Sequence, residues 1–190
     1  MGLAKIKIEL REISLKNRPK ELYDASSKGT VPVLILGDDT VIDESLDIMQ
    51  WATKEGGLNW GRDDKENQLQ AIENNDQKFK KWLDKYKYHD RYPENNMEFY
   101  RKECDKYLSA YEKILANQKY LFSTQNLTLG DAALFPFIRQ FNGVDPDYMH
   151  NYPELNKWLN NIINSELFIS IMGKYEFWVP GSKGTAITFL

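Results

Sequence analysis

Cysteine is nearly missing from this chain: Cys104 stands alone among 190 residues, so an internal disulfide or a cysteine-based metal site is excluded. Histidine is almost as scarce. His89 and His150 lie far apart without ligand spacing, and no metal is expected. No apolar run approaches the roughly 18 residues that span a bilayer, and the N-terminus lacks the basic, apolar and small-residue order of a signal peptide. Ile6 stands where N-myristoylation after Gly2 would need Ser or Thr. Nor is positive charge in surplus. The net charge is -3, with Lys and Arg scattered among Asp and Glu, which gives nothing to hold a phosphate backbone. These absences point to a soluble, cytoplasmic protein with no nucleic-acid or membrane partner.

What is present is 42% hydrophobic and 13% aromatic residues, enough for one ample core or two small ones sharing an interface. The two halves of the chain have different patterns. From Lys5 to Ile13 the apolar Ile6, Ile8, Leu10 and Ile13 nearly keep a period of two, which predicts a half-buried strand. Pro19 suits a first helical position, and Lys20 to Ala25 predicts a short helix ended by Ser26-Ser27-Lys28-Gly29. Val31 to Leu36 reads as a buried strand, with Gly37-Asp38-Asp39 turning it back into Thr40-Val41-Ile42. Asp43 to Thr53 predicts a helix with Leu46, Ile48, Met49 and Ala52 on one face.

After a Gly- and Asn-rich stretch the pattern is helical only. The expected division is a first domain over residues 1–54, a linker over 55–64 and an all-α domain over 65–190. One long helix is predicted from about Asp64 to His89, with Leu69, Ile72, Phe79, Leu83 and Tyr86 on a face. Another carries Tyr100, Cys104, Tyr107, Leu108, Tyr111, Ile114 and Leu115, which places Cys104 among core residues as a small hydrophobe. Thr128 and Asp131 are spaced to cap a third helix reciprocally. That helix is apolar nearly all round, as a central helix of a bundle should be. The tail over residues 174–190 has no predicted place.

Two segments carry the chemistry. Pro32 opens a buried apolar strand, where it removes a ladder donor. Two readings are open: a cis Val31–Pro32 bond, which costs only about 0.5–1 kcal/mol and turns the Val31 backbone outward to pair with an extended peptide, or an edge-strand proline in trans. At Asp43-Glu44-Ser45 a helix begins, where unpaired amides and the dipole favour a carboxylate. The Ser45 hydroxyl and the Glu44 carboxylate together suit the α-carboxylate and α-amino ends of an amino-acid-like ligand. The alternative is three ordinary capping residues.

Taken in order, Lys28-Gly29-Thr30-Val31-Pro32-Val33-Leu34, the hairpin, Glu44-Ser45 at a helix start and the Thr128-x-x-Asp131 helix resemble the glutathione transferases across nearly the whole chain. Leu15-Lys16-Asn17-Arg18-Pro19 is most similar to the omega-type and glutaredoxin-2-like bacterial members. The resemblance implies an α/β thioredoxin-like first domain followed by an all-α bundle, and glutathione as the bound substrate. It implies that Val31 pairs through its backbone with the cysteinyl part, that Pro32 is cis, and that Glu44 and Ser45 hold the γ-glutamyl end. Arg18 stands where that group has a basic residue near the glycyl carboxylate, a role its two parallel donors suit. Lys28 is a weaker candidate for that role than for an ordinary solvated turn. An acceptor substrate would lie against the helical domain, where Trp82, Tyr86, Tyr88 and Tyr92 are candidates to line a pocket. A homodimer is implied by the family alone.

The chain departs from the family at its start. The family's first strand and helix present the catalytic Cys, Ser or Tyr; here Met1-Gly2-Leu3-Ala4 reads as the tail of that helix, and the strand near Lys5 matches the second strand. In the thioredoxin-like order the first strand lies between the second and third, so Lys5 to Ile13 is expected to lack a hydrogen-bonding neighbour. Two explanations are open. The chain is a fragment of an active enzyme whose nucleophile lies upstream of Met1, which the mutual agreement of the cradle residues favours. Otherwise it is a short, non-catalytic binding or dimerisation module.

Overall fold

The computed structural model describes residues 1–60 and 64–188; the middle of the expected 55–64 linker and the last two residues of the tail lie outside the described residues. The chain forms two compact units, one from Met1–Leu58 with Ser165–Leu190 and one from Asn59–Asn164.

In the first unit, side chains from Lys5 to Leu10 alternate between exposed and half-buried, the period of two that a strand imposes. The ladder itself is short: β1 (Ile8–Leu10). There follow α1 (Lys20–Ala25), β2 (Leu34–Ile35), β3 (Val41–Ile42) and α2 (Ser45–Glu55). β2 and β3 form an antiparallel hairpin, Leu34 opposite Ile42. Its turn is closed by Leu36 N–H donating to Thr40 O at 2.9 Å, with Asp39 in the left-handed region at φ 64°, a conformation that Asp tolerates better than most residues. Met1 to Lys5 make a hydrogen-bonded turn, Lys5 N–H donating to Gly2 O at 3.0 Å, where a helix tail was expected.

β1 is not left without a neighbour. Its partner comes from the far end of the chain: β4 (Thr185–Ile187) runs antiparallel to it, Ile8 opposite Ile187 and Leu10 opposite Thr185. Three further contacts hold the tail in place. Trp178 N–H donates to Glu12 O at 2.7 Å, the Arg11 guanidinium lies 4.9 Å from the centre of the Trp178 ring, and Gly184 N–H donates to Glu9 Oε1 at 3.0 Å. A Cβ on Gly184 would stand 2.6 Å from Leu10 O, so the close approach of the two strands requires glycine there. Residues 165–190, assigned above to the helical half, group with the first unit, because ladder hydrogen bonds tie β4 to β1. α8 (Glu166–Ile171) goes with them.

The second unit is built of helices. The predicted long helix over 64–89 is three segments, α3 (Lys65–Asn74), a π-helical turn Asn75–Phe79 and α4 (Lys80–Lys87), followed by a 3-10 turn His89–Arg91. The wider π turn admits an extra residue and keeps Gln68, Ile72, Asn75, Phe79, Leu83 and Tyr86 all buried. α5 (Met97–Leu115) buries Tyr100, Cys104, Leu108, Tyr111 and Leu115 at helical spacing. α6 (Leu129–Asn142) runs on through Pro136 and buries seven of its residues, and α7 (Pro153–Ile163) contributes Leu155, Trp158 and Leu159 to the core.

Asp131 organises this core. Thr128 Oγ1 accepts from Asp131 N–H at 3.2 Å and donates to Asp131 Oδ2 at 2.6 Å, while Thr128 N–H donates to the same carboxylate at 3.2 Å. The other oxygen, Oδ1, accepts from Leu121 N–H at 2.8 Å and from Trp158 Nε1–H at 2.9 Å. The side chain is fully buried, and burial raises its pKa against the pull of these donors. One carboxylate therefore ties the start of α6 to the preceding loop and to α7. Asp131→Ala strands three buried N–H donors, and urea denaturation should show a loss of about 3–5 kcal/mol. Asp131→Asn, which keeps one acceptor oxygen, should lose less; an alanine loss within experimental error of zero would refute the role.

Candidate functional site

The candidate cradle lies in the first unit, where the loop between α1 and β2 comes back alongside the start of α2. α1 ends at Ala25, and after its C-cap Ser26 a turn closed by Gly29 N–H donating to Ser26 O at 3.0 Å reverses the chain. Gly29 sits at φ 61° with the Tyr23 ring where a Cβ would be, 2.4 Å away; both the left-handed backbone and the packed ring demand glycine. The turn brings Ser26 and Lys28 against residues 17 and 16 positions further on.

The Ser26 hydroxyl donates to Asp43 Oδ2 at 2.6 Å, and Lys28 Nζ donates to Asp43 Oδ1 at 3.0 Å and to Glu44 Oε1. The Ser26 hydrogen bond, and after it the Lys28 ammonium, hold the Asp43 carboxyl below the usual carboxylate range. Glu44, then Asp43, raises the Lys28 ammonium above its ordinary value. With both directions away from neutrality, lysine and aspartate are charged throughout the physiological range.

Of the expected site residues, Glu44 belongs to this network through Lys28. Val31 is 46% exposed, the Val31–Pro32 peptide is cis, and Pro32 is exposed. Glu44 is the N-cap residue of α2 and Ser45 its first residue, both exposed. No side chain caps this helix. The reading of Asp43, Glu44 and Ser45 as ordinary caps is therefore not what the side chains do: the two carboxylates turn to Ser26 and Lys28, and no side chain caps the first amides of α2. Arg18 is exposed in the turn before α1, and the structure gives it no bond to Glu44 or Ser45. Lys28, read above as an ordinary solvated turn lysine, is instead the cation shared by both carboxylates. Ser26 was not anticipated at all, since no local pattern links a serine to an aspartate 17 residues on.

In the helical unit the four aromatic candidates separate. Tyr86 is fully buried, its ring 5.1 Å from that of Phe141, so it belongs to the core and lines no pocket. Trp82 packs on Phe99 at 6.4 Å and Tyr92 on Tyr100 at 6.4 Å, with Lys85 Nζ 5.7 Å from the first ring and 5.3 Å from the second of these faces. Tyr88 is 42% exposed, with Arg91 and Lys87 over its ring. Cys104 is completely buried and desolvation pushes its thiol far up, the opposite of what a nucleophilic sulfur requires. Among the described residues no three His, Cys, Asp or Glu side chains converge to hold a metal ion, and no helix is long and apolar enough to cross a membrane.

Comparison with known proteins covers both halves. The model of the glutathione S-transferase N-terminal domain matches residues 1–55, and that of the glutathione S-transferase C-terminal domain matches residues 61–166. A search of curated protein sequences found no match. Solved structures align at low identity. A bacterial glutathione transferase in a ternary complex superposes with a TM-score of 0.70 at 18% identity, over 86% of this chain and 85% of that one. A glutathione transferase family member from Pseudomonas fluorescens with two glutathione bound gives 0.62 at 18%, over 77% and 72%. A Phanerochaete chrysosporium glutathione transferase in complex with oxidized glutathione gives 0.65 at 18%, over 80% and 76%. The fold is thus a thioredoxin-like small-sheet domain joined to a helical one.

The cradle network generates its own test. Asp43 should titrate, by the chemical shift of its carboxyl carbon in NMR, with a midpoint below that of a free aspartate. Because its folded pKa is depressed, its contribution to stability is present above the unfolded value and lost only as pH falls through the lower folded one. Ser26→Ala removes the largest cause and should move the midpoint up; an unshifted midpoint in both proteins would remove Ser26 from the network.

Proposed function

We propose, for a chain that belongs to the glutathione S-transferase family, that the start of α2 and the two loops beside it bind glutathione, whose thiol is then used for conjugation or thiol–disulfide exchange. The observation that carries the reading is the side-chain-free N-terminus of α2, with the Glu44 carboxylate and Ser45 hydroxyl at its rim. Unpaired amides and the positive end of the helix dipole accept a carboxylate. The γ-glutamyl α-carboxylate is placed there, bonded by the Ser45 hydroxyl and the first amides, and its α-ammonium donates to Glu44. The exposed Val31 backbone pairs with the cysteinyl residue as one strand with another, and Arg18 takes the glycyl carboxylate.

The chemistry rests on the ligand's sulfur, because the chain's single cysteine is sealed in the helical core. In conjugation the glutathione thiolate attacks an electrophilic carbon, a C–S bond forms and the leaving group departs with its bonding pair. In exchange the thiolate attacks a disulfide sulfur, giving a mixed disulfide and releasing the other thiolate. The Leu15-Lys16-Asn17-Arg18-Pro19 segment supports the omega-type, exchange-competent branch. A cytoplasmic setting, where glutathione is reduced and abundant, goes with either reaction.

Calorimetry of the full chain should show saturable glutathione binding. Arg18→Ala and Ser45→Ala should each weaken it by about 1–3 kcal/mol, as loss of a charge-assisted bond does. A folded chain that does not bind glutathione rejects the cradle; binding without conjugation of a chlorodinitroarene or reduction of a glutathionyl disulfide leaves a binding module and no enzyme.

A further inference from the structure

Lys28 puts an alkylammonium on the carboxylate that the proposed glutathione site reserves for the ligand's α-ammonium. The two groups are chemically the same: a compact cation with three donors. Asp43 is engaged at both oxygens, by Ser26 at 2.6 Å and by Lys28 at 3.0 Å, whereas Glu44 is the more open of the pair, its side chain 59% exposed, with Lys28 bonded to Oε1. Lys28 itself extends from a turn in which Gly29 lies against the Tyr23 ring, and its four-carbon stem can release one carboxylate and keep the other. A ligand ammonium arriving at Glu44 therefore competes with Lys28, which retains Asp43 as it yields.

The charge balance has a second consequence. Asp43 and Glu44 place two negative charges beside the α2 amides, and Lys28 cancels one of them. A ligand that brings a carboxylate with its own ammonium does not need Lys28. A ligand that brings the carboxylate alone meets two uncompensated carboxylates unless Lys28 stays.

We propose that Lys28 is a specificity-determining residue that stands in for the ligand's α-ammonium, widening the accepted class from free γ-glutamyl peptides to γ-glutamyl thiols whose amine is blocked. This rests on the glutathione-site reading above. It sets opposite signs for two ligands: Lys28 weakens the hold on glutathione and strengthens the hold on its amine-blocked form.

The test titrates the wild-type chain, Lys28→Met and Lys28→Arg with glutathione and with glutathione acetylated on its α-amine. Lys28→Met should bind glutathione about two- to fivefold more tightly and the acetylated peptide about two- to fivefold more weakly, the range set by half-exposed ion pairs. Lys28→Arg should track the wild type. Glu44→Gln removes the shared acceptor and should erase the contrast between the two peptides, which checks the same claim with Lys28 untouched. Both peptides shifting in one direction, or neither shifting, overturns the role of Lys28 while leaving the glutathione site standing. A wild-type chain that binds neither peptide overturns the site and this inference with it.

Discussion

The first turn of an α-helix leaves amide groups with no intrahelical partner, and the way several starts meet that constraint organises the helical unit of this protein. At α5 the Asn96 side chain accepts from Phe99 N–H at 2.8 Å. At α6 the reciprocal Thr128–Asp131 pair does so from within the buried core. At α7 the cap comes from another helix: the Glu112 carboxylate of α5 accepts from Glu154 N–H at 3.1 Å and from Leu155 N–H at 2.8 Å. Each of these satisfies orphan donors and at the same time ties one helix to a loop or a neighbour, so capping and tertiary packing are a single interaction. α2 begins with two carboxylates and a serine in capping positions, and none of them caps.

That difference has an energetic meaning. A side-chain cap is worth about 1 kcal/mol to a helix, and Glu44, the N-cap residue, forgoes it with the Lys28 ammonium for a partner. The diverted carboxylates gain only exposed ion pairs, which contribute little by themselves. α1 and α3 also begin without a side-chain cap, so what distinguishes α2 is that carboxylates stand at its start and turn to Ser26 and Lys28 instead.

Much of this was legible in the sequence, and the parts that were not share one cause. Alternation from Lys5 to Leu10, the Gly37-Asp38-Asp39 turn and the Thr128-x-x-Asp131 spacing are local signals, each written within ten residues, and each appears in the structure. The start of a helix at Ser45 was likewise readable because its signals follow one another in a fixed order. What escaped was long-range. β4 lies some 175 residues from the strand it pairs with, and no periodicity in the tail announces a partner at the opposite end. Gly184 carried a faint signal, since a glycine inside an extended stretch marks close backbone approach. The π turn escaped for a different reason: Asn75 and Phe79 fit a regular helical face nearly as well as a widened one, and only the packing of Gln68, Asn75 and Phe79 together decides.

Charge pairing shows the same limit at the site itself. Read locally, Lys28 is a turn lysine and Asp43 and Glu44 are helix-start acids, and those readings are independent of one another. Folding makes them one object, because the Gly29 turn returns the chain to the start of α2 and three formal charges then share a few ångströms. From that point the electrostatics of the cradle belong to the group and to no single residue: adding a fourth charge with a ligand redistributes the other three. In the proposed glutathione site a zwitterionic γ-glutamyl end would add two charges of opposite sign, so the net charge of the cluster stays the same as long as Lys28 moves from Glu44 to Asp43 and remains there.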